Sequence, residues 1–334
     1  MPQTFKIKSP MTGETVTVKE GTKIKTNIQV AEIVDSTPIS VPVIIVNGKN
    51  DGPILAINSG THGSEYCGME VVRRTAVETS PEDLNGILVA IPGCNPFAYH
   101  GGEYVNLKSY DLSLGAQVQY PGDPNGTYAQ RLAYFLLNEI FLKADAVIDN
   151  HDGAAHWIAR YIVFSDSPKT VKTVGKKKLE LAKAFGTIPV EHAAPKELPP
   201  TALGTVLGNA GIPQITPEVG GMRCLWPEDI ENGVKGLNNI MKYMKMLSGT
   251  PSKQKQAIFN EYKWIRANRG GVLRPAFAPT DIPLNVKKGQ LLATITNMVG
   301  DTLETIKSPY DGIVFCARAN SAAHTGDWLY GVGK

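Results

Sequence analysis

The stretch ILAINSGTHGSE, residues 54–65, decides the fold class of this 334-residue chain. The run ILAINS has the composition of a mostly buried strand, and a loop flanked by glycines follows at once. A pattern of helical periodicity then begins at residue 66. A strand that ends in a polar loop before a helix is typical of an α/β sheet, and such loops are a favoured place for a functional site.

The same alternation of strand and helix continues on both sides of this stretch. Strands are predicted at 40–46, 54–59, 87–91, 146–149, 161–164 and 212–216. Helices are predicted at 66–79, 128–143, 168–185, 201–210 and 227–247. The chain between 91 and about 125 is rich in glycine and asparagine and is predicted to be a long loop. The middle of the chain is therefore an α/β domain with helices covering a sheet.

Both ends of the chain have a different pattern. Beyond about residue 262, short alternating segments broken by glycine predict a separate all-β unit. Within it, VKKGQLL at 286–292 is echoed by AHTGDWL at 323–329, and the unit resembles the lipoyl-like barrel-sandwich domains. KSPMTG at 8–13 is echoed by KSPYDG at 307–312. We therefore predict an N-terminal β segment over 1–35, an α/β domain over 36–261 and a C-terminal β unit over 262–334.

The composition excludes several classes of partner. With 34 Lys plus Arg against 31 Asp plus Glu, the formal net charge is only +3, which does not favour a polyanionic partner. No apolar run reaches the roughly 18 residues that a membrane span needs. The four cysteines form no CxxC pair, which argues against a disulfide scaffold or a zinc ribbon. We expect a cytoplasmic protein that binds a small molecule but neither nucleic acid nor membrane, with a homo-oligomer left open.

Two predicted strands end in residues that can bind a metal ion. His62 and Glu65 follow the first strand, and His151 follows the strand at 146–149. A catalytic zinc site commonly has two histidines and a carboxylate, with the fourth position left for water. Either motif alone is weak, because a buried histidine is more often structural, but together they predict one zinc ion per chain. Asp149 points to the same side as His151 in an extended chain, so it could hold the second ring nitrogen.

A further carboxylate stands where the strand at 212–216 ends, in the run ITPEVGG at 215–221. One interpretation of Glu218 is an acidic residue that opens a turn or a helix. The other is a general base that accepts a proton from an activated water and passes it to the leaving group. Without the zinc ion, the sequence does not choose between them.

Five motifs occur in an order that is much more specific than any one of them: HGSE at 62–65, NP at 95–96, YPGDP at 120–124, DNH at 149–151 and TPEVG at 216–220. Over about residues 40–334, the chain resembles the succinylglutamate desuccinylase/aspartoacylase family of zinc hydrolases, in particular its bacterial branch with the N-acetyl-diaminobutyrate deacetylases. The resemblance implies a three-layer α/β/α, zinc-carboxypeptidase-like domain with a mixed sheet. It also implies zinc on His62, Glu65 and His151, with Glu218 as general base.

The chain departs from this family at two arginines. The family usually has one arginine about nine residues after the Asn-Pro, where Tyr104 stands here, and another before the YPG motif, where this chain has Gln117 and Val118. A valine cannot make the bidentate contact that fixes a carboxylate. Other side chains that could contact the substrate or its oxyanion are Asn95, His100, Tyr104, Lys108, His156 and Arg160. Tyr310 of the β unit either reaches the pocket or serves in packing or in an oligomer contact.

These observations predict a zinc-dependent amidohydrolase that deacylates a small N-acylated compound. Because the two arginines are missing, a zinc esterase or a lactam-opening enzyme acting on a less acidic substrate is an alternative. A binding protein that has kept the fold and lost the activity is a third hypothesis. The four residues His62, Glu65, His151 and Glu218 favour the enzymes, since a binding protein has no need of all of them.

Overall fold

A computed structural model describes residues 3–101, 120–163, 166–196, 198–252 and 256–334. Tyr104 and Lys108, which the sequence offered as substrate contacts, lie outside the described residues, and so do Gln117 and Val118. The backbone of His100 is described, but its side chain also lies outside the described part of the chain.

The described ranges contain six α-helices and nineteen strands. The helices are α1 Tyr66–Glu78, α2 Pro96–Gly101, α3 Tyr128–Glu139, α4 Lys176–Phe185, α5 Leu203–Asn209 and α6 Pro227–Tyr243. The strands are β1 Phe5–Lys8, β2 Thr15–Val18, β3 Thr22–Glu32, β4 Pro38–Asn47, β5 Asn50–Ser59, β6 Asn85–Ile91, β7 Ala146–Asn150, β8 Trp157–Val163, β9 Val190–Glu191, β10 Gln214–Gly221, β11 Ile258–Phe259, β12 Tyr262–Arg266, β13 Gly271–Pro275, β14 Leu284–Val286, β15 Leu291–Thr296, β16 Thr302–Lys307, β17 Gly312–Arg318, β18 Ala322–Ala323 and β19 Trp328–Gly333. No helix in these ranges is both long and apolar enough to cross a membrane.

A single mixed sheet organises the molecule. Its strands follow the order β12-β19-β17-β8-β10-β7-β5-β6-β4-β3. The four central strands run parallel to one another in the order β10-β7-β5-β6. On either side of them the direction changes, since β8 is antiparallel to β10 and β4 is antiparallel to β6. This confirms the predicted mixed α/β fold. The parallel strands end at one edge of the sheet, which is where the loop after β5 and the end of β7 lie side by side.

Helices cover both faces of this sheet. On one face, α1, α4 and α6 pack through Val72, Phe185 and Leu237, all of which are fully buried. On the other face, α3 and α5 pack through buried Leu136 and Leu207, and the β1–β2 hairpin adds to the same core. The alternation predicted from sequence therefore produces three layers, with the apolar stripe of each helix buried against the sheet.

The structure differs from the predicted elements at two places that matter for the site. The predicted strand at 212–216 continues to Gly221, because the first half of β10 pairs with β7 and its second half pairs with β8. Glu218 therefore lies inside a strand and does not open a turn or a helix. The short helix α2 was not predicted, and it follows directly on the Asn95-Pro96 motif.

The C-terminal strands belong to two sheets. Strands β17, β19 and β12 extend the main sheet, since β17 pairs antiparallel with β8. A second sheet has the order β16-β15-β13-β18. Between this sheet and the strands β17, β19 and β12 lies an apolar core that includes Leu292, Ile295 and Val332. At the other end, β3 pairs with β4 over its whole length. Hydrogen bonds therefore cross both predicted boundaries, and the division into 1–35, 36–261 and 262–334 stays a proposal about units within one sheet.

Candidate metal centre

Three buried side chains meet at the edge where the parallel strands end. The ligand atoms of His62, Glu65 and His151 all lie within 4.8 Å of one another. The first two stand in the loop between β5 and α1, and His151 directly follows β7. Because β5 and β7 are parallel neighbours, with Ser59 beside Asn150, their ends deliver these side chains to one point. Residues that are far apart in the sequence thus form a compact group of two imidazoles and one carboxylate.

The orientation of His151 is set by two carboxylates. Its Nδ1 lies 2.9 Å from Oε2 of Glu65, and its Nε2 lies 3.2 Å from Oδ2 of Asp149. Asp149 is itself held by Asn58, whose amide donates a hydrogen bond of 2.7 Å to Oδ1. Burial disfavours protonation of His151, but Glu65 and Asp149 outweigh it and raise the pKa of His151 well above its ordinary value. Two buried carboxylates around one imidazole therefore favour a positive charge at this point.

The donor set fits a zinc ion. Two imidazole nitrogens and one carboxylate oxygen are ligands that Zn²⁺ accepts in catalytic sites, where three protein ligands leave one position open. With Asp149 holding Nε2, His151 turns Nδ1 toward the other two ligands. A divalent cation would also supply the positive charge that Glu65 and Asp149 favour.

Glu218 lies beside this group on the neighbouring strand β10. The backbone brings it there, since His151 N–H donates to the carbonyl of Pro217 at 2.8 Å and Val219 N–H donates to the carbonyl of His151 at 2.9 Å. The side chain is half-buried and lines the same cavity as the three candidate ligands. Burial raises the pKa of Glu218 to about 8; His151 opposes this rise, whereas Glu65 and Asp149 add to it. A carboxyl group of this kind exchanges protons near neutral pH.

Asp152 is a residue at the site that was not predicted from the sequence. Its Oδ2 accepts hydrogen bonds from the backbone N–H of Cys67 at 2.9 Å and of Gly68 at 3.4 Å, and its Oδ1 accepts one from Ala154 at 2.7 Å. Helix α1 has no side-chain cap from Glu65, the residue that precedes it. Asp152 therefore caps α1 from a distant part of the chain and ties the loop after β7 to the start of α1. No spacing rule could have found this contact, because 84 residues separate Asp152 from Gly68.

Aromatic and small side chains form the remaining wall of the cavity. Its volume is about 170 Å³. Alternate residues of β8 face it, and three residues of the C-terminal strands complete it: Trp157, Ala159, Tyr161, Trp264, Cys316 and Trp328. None of these wall residues was predicted from the sequence. Among the described residues that line this cavity there is no lysine or arginine.

Comparison with known proteins identifies the family to which this chain belongs. A model of the succinylglutamate desuccinylase/aspartoacylase catalytic domain matches residues 51–244, which is more than half of the chain. The chain belongs to this family. The match includes His62, Glu65, His151 and Glu218, and it confirms the resemblance predicted from the ordered motifs.

Individual relatives of this family member are distant. The N-alpha-acetyl-L-2,4-diaminobutyric acid deacetylase of Halomonas elongata is 23% identical over 305 residues, which cover 87% of this chain and 84% of that protein. A product-bound structure of the ectoine utilization protein EutE from Ruegeria pomeroyi has a TM-score of 0.80 at 20% identity, covering 93% of this chain and 94% of the other. A succinylglutamate desuccinylase/aspartoacylase from Rhodobacter sphaeroides has a TM-score of 0.79 at 22% identity, covering 93% and 95%. The structures show a shared fold, and the family consists of deacylating hydrolases.

Asn95, in the Asn-Pro motif of this family member, is fully buried behind the metal-binding loop. Its Nδ2 donates to the carbonyl of Thr61 at 3.0 Å, and its Oδ1 accepts from the N–H of Ala98 at 3.3 Å. It does not line the cavity. The structure thus gives Asn95 a role in holding the backbone next to His62 and at the start of α2.

The structure places two of the predicted substrate contacts, Arg160 and Tyr310, outside the lining of the cavity. Arg160 faces away from the cavity, because it alternates with Ala159 and Tyr161 on β8; its Nε bonds Asp229 at 2.6 Å, and Nη1 donates to the carbonyls of Thr280 and Ile282. Tyr310 donates its hydroxyl to the carbonyl of Val332 at 2.6 Å and does not line the cavity, which agrees with the packing alternative.

His156 lies beside the cavity without lining it. It lines a second cavity that shares two tryptophans with the first. Its Nδ1 lies 3.1 Å from the side-chain amide of Asn320. Of the predicted substrate contacts with described side chains, His156 is therefore the one that remains close to the site and partly exposed to solvent.

Proposed function

We propose that this protein is a zinc-dependent amidohydrolase that removes the acyl group from a small N-acylated compound. The observation that carries the proposal is the convergence of His62, Glu65 and His151 within 4.8 Å, with Glu218 in the same cavity. The family of deacylating hydrolases supplies the class of reaction. In this proposal three of the four residues share one task, and Glu218 has another.

His62, Glu65 and His151 would hold one zinc ion per chain. Asp149 contacts Nε2 of His151, so that Nδ1 is the ring nitrogen that would bind the metal. When bound, zinc polarises a substrate carbonyl and lowers the pKa of water from 15.7 to about 7. Asn95 and Asp152 keep the two loops that carry the ligands in place, through their hydrogen bonds to the backbone next to His62 and at the start of α1.

Glu218 is the proposed general base. In its ionised form it accepts a proton from the attacking water, and its raised pKa of about 8 favours the later donation of that proton to the leaving nitrogen. The positive charge of a bound metal ion would lower this pKa and favour the ionised form that accepts the first proton. The aromatic and small wall residues exclude water from around the acyl group, and a cavity of about 170 Å³ suits a small one.

A zinc esterase or a lactam-opening enzyme would use the same ligands and the same base. One observation favours such an esterase or lactam-opening enzyme. Among the described residues that line the metal cavity, no lysine or arginine is present to bind a substrate carboxylate. A panel of N-acyl amino acids, neutral amides, esters and lactams separates these substrates. The inactive-protein alternative predicts no hydrolysis of any of them by the wild-type protein.

The C-terminal residues 262–334 are proposed to be a lipoyl-like barrel-sandwich unit that completes the cavity. Two sheets around a common core of Leu292, Ile295 and Val332 support this proposal. Trp264, Cys316 and Trp328 are its contribution to the wall.

The variant E218Q tests the proposal. It should retain stoichiometric zinc and lose about a hundredfold to ten-thousandfold in turnover, since an amide cannot accept the proton. E191Q is a matched control, because Glu191 is also buried and does not line the cavity. Hydrolysis of the same substrate panel and metal analysis are the measurements. Full activity of zinc-loaded E218Q would exclude Glu218 as the base.

A further inference from the structure

A second, larger cavity adjoins the metal cavity. Its volume is about 470 Å³, and Trp157 and Trp328 line both cavities. These two residues are linked, since the indole N–H of Trp157 donates to the backbone carbonyl of Trp328 at 3.1 Å. The two cavities are therefore neighbours that share Trp157 and Trp328 as a common wall.

Basic side chains dominate the second cavity. Its charged and titratable lining residues are His156, Arg266, Arg318, His324 and Asp327. Arg318 is buried and fixed, with an ion pair of 3.0 Å to Asp327 and a bond of 2.6 Å to the carbonyl of Ala322. Asp327 is the one acidic residue among the described lining residues, and Arg318 already neutralises it.

Arg266 is exposed at the rim of the same cavity. Its guanidinium lies 4.8 Å from the ring centroid of Trp328 and donates to the carbonyl of Gly326 at 2.6 Å. In the described part of the chain, no carboxylate forms an ion pair with Arg266. Stacking on Trp328 and the bond to Gly326 hold the group in a defined position, which leaves its other N–H groups directed to solvent.

His156 is affected by burial and by the charges of two arginines. Burial lowers the pKa of His156, and the charges of Arg318 and Arg223 lower it further, against a smaller opposing effect of Asp327. His324 is exposed and lines the same cavity. The cavity thus offers an excess of positive charge next to a metal cavity whose described lining has neither lysine nor arginine.

We propose that the cavity formed by His156, Arg266, Arg318 and His324 binds an anionic group of the substrate, a carboxylate or a phosphate, while the acyl group lies in the metal cavity. Arg266 makes the main contact, because its charge is unpaired among the described residues and a guanidinium can bind such a group in a bidentate manner. The inference rests on the proposed function in one respect, namely that the bound anionic group belongs to a substrate. It favours an acylated compound that carries an anionic group over the neutral esters and lactams.

Binding of simple probes to the purified full chain tests this inference. Benzoate, phenyl phosphate and the neutral benzamide are compared by isothermal titration calorimetry. At least one of the two anions should bind about tenfold or more tightly than benzamide, which is the range expected for one charge-assisted hydrogen bond. R266Q should abolish this preference and leave benzamide binding unchanged, whereas R266K should keep part of it.

The control is R131Q, which removes an exposed arginine at a different cavity, lined by α3 and the segment after β1. It should bind all three probes as the wild type does. If R266Q lowers the melting temperature enough to unfold the protein, H324Q tests the same cavity at an exposed position and should reduce the preference. Equal affinity for anions and benzamide, a preference that survives in folded R266Q, or an unreduced preference in folded H324Q, would overturn the inference.

This test is independent of turnover. A protein that prefers the anions but hydrolyses nothing would contradict the proposed function alone. An active zinc hydrolase without the preference would contradict only the anion subsite.

Discussion

Asp149 and His151 show at the residue scale how the site depends on a contact behind the metal ligands. Asp149 bonds Nε2 of His151, and Asn58 holds Asp149 in turn. A ligand histidine whose second nitrogen is fixed in this way has one tautomer and one ring orientation. The sequence predicted this arrangement because residues two apart on a strand face the same side.

D149N should weaken zinc binding by about 10- to 100-fold, since the amide lacks the charge that raises the basicity of His151. Competition with a chromogenic chelator measures the affinity. D83N is the control, because Asp83 is exposed and distant from the candidate ligands in sequence. Equal zinc affinity of D149N and the wild type would contradict this role of Asp149.

The meeting of His62, Glu65 and His151 was predictable from sequence, but most of the wall was not. His62, Glu65 and His151 each follow a strand whose apolar run is visible locally, so their meeting point follows from parallel pairing. Trp264 and Trp328 reach the cavity only because β17 pairs with β8, a contact between distant parts of the chain. Arg160 was predicted as a substrate contact, but its side chain does not line the cavity. Which side of β8 faces the cavity depends on how β8 pairs with β17, and the sequence does not show this pairing.

At the scale of elements, helix α1 is the piece of secondary structure on which the metal site most depends. Glu65 immediately precedes α1, and Asp152 caps the helix from the loop after His151. Burial and Glu65 raise the pKa of Asp152 well above its ordinary value, against the opposing hydrogen bonds from Ala154 and Cys67. The cap and the candidate metal ligands are therefore parts of one buried group of titratable side chains.

D152A should lower both the free energy of unfolding and the zinc affinity. Each backbone N–H left buried without an acceptor costs about 1–3 kcal/mol, and Glu65 loses its fixed position at the start of α1. T127A is the matched control, because Thr127 caps α3 through its own capping box far from the cavity. It should cost about 0.5–2 kcal/mol and leave zinc affinity unchanged. Urea unfolding and chelator competition measure both effects, and unchanged zinc affinity in D152A would contradict the coupling.

Strand β10 shows why the ends of elements were harder to predict than their presence. The sequence predicted a strand that ends at residue 216, but β10 continues to Gly221 because its partner changes from β7 to β8 on the way. A sequence pattern reports how buried a segment is, and it does not report which neighbour a strand acquires. The same limit applies to α2, since six residues carry too little periodicity to be recognised.

At the scale of the whole molecule, the C-terminal unit is an integral part of the sheet and of the cavity. Strand β17 pairs with β8, and Arg160 donates to the carbonyls of Thr280 and Ile282 across the predicted boundary. Trp264 and Trp328 line the metal cavity from the C-terminal side. The three predicted parts of the chain therefore depend on one another.

Removal of residues 262–334 should give an aggregated or unfolded product. The truncation exposes the edge of β8 and the apolar residues that pack against the C-terminal core, such as Ile158, and it leaves Arg160 without two of its acceptors. Size-exclusion chromatography and circular dichroism of residues 1–261, beside the full chain, test this. A soluble, cooperatively folding fragment would support the α/β part as an independent domain and contradict its dependence on the C-terminal unit.

X-ray anomalous scattering at the zinc edge, on crystals of freshly purified protein, tests the existence of the metal centre most directly. We predict one zinc ion per chain, about 2.0–2.2 Å from a nitrogen of His62, an oxygen of Glu65 and Nδ1 of His151. An ion bound elsewhere, or three side chains that hold no ion in zinc-supplemented protein, would contradict it.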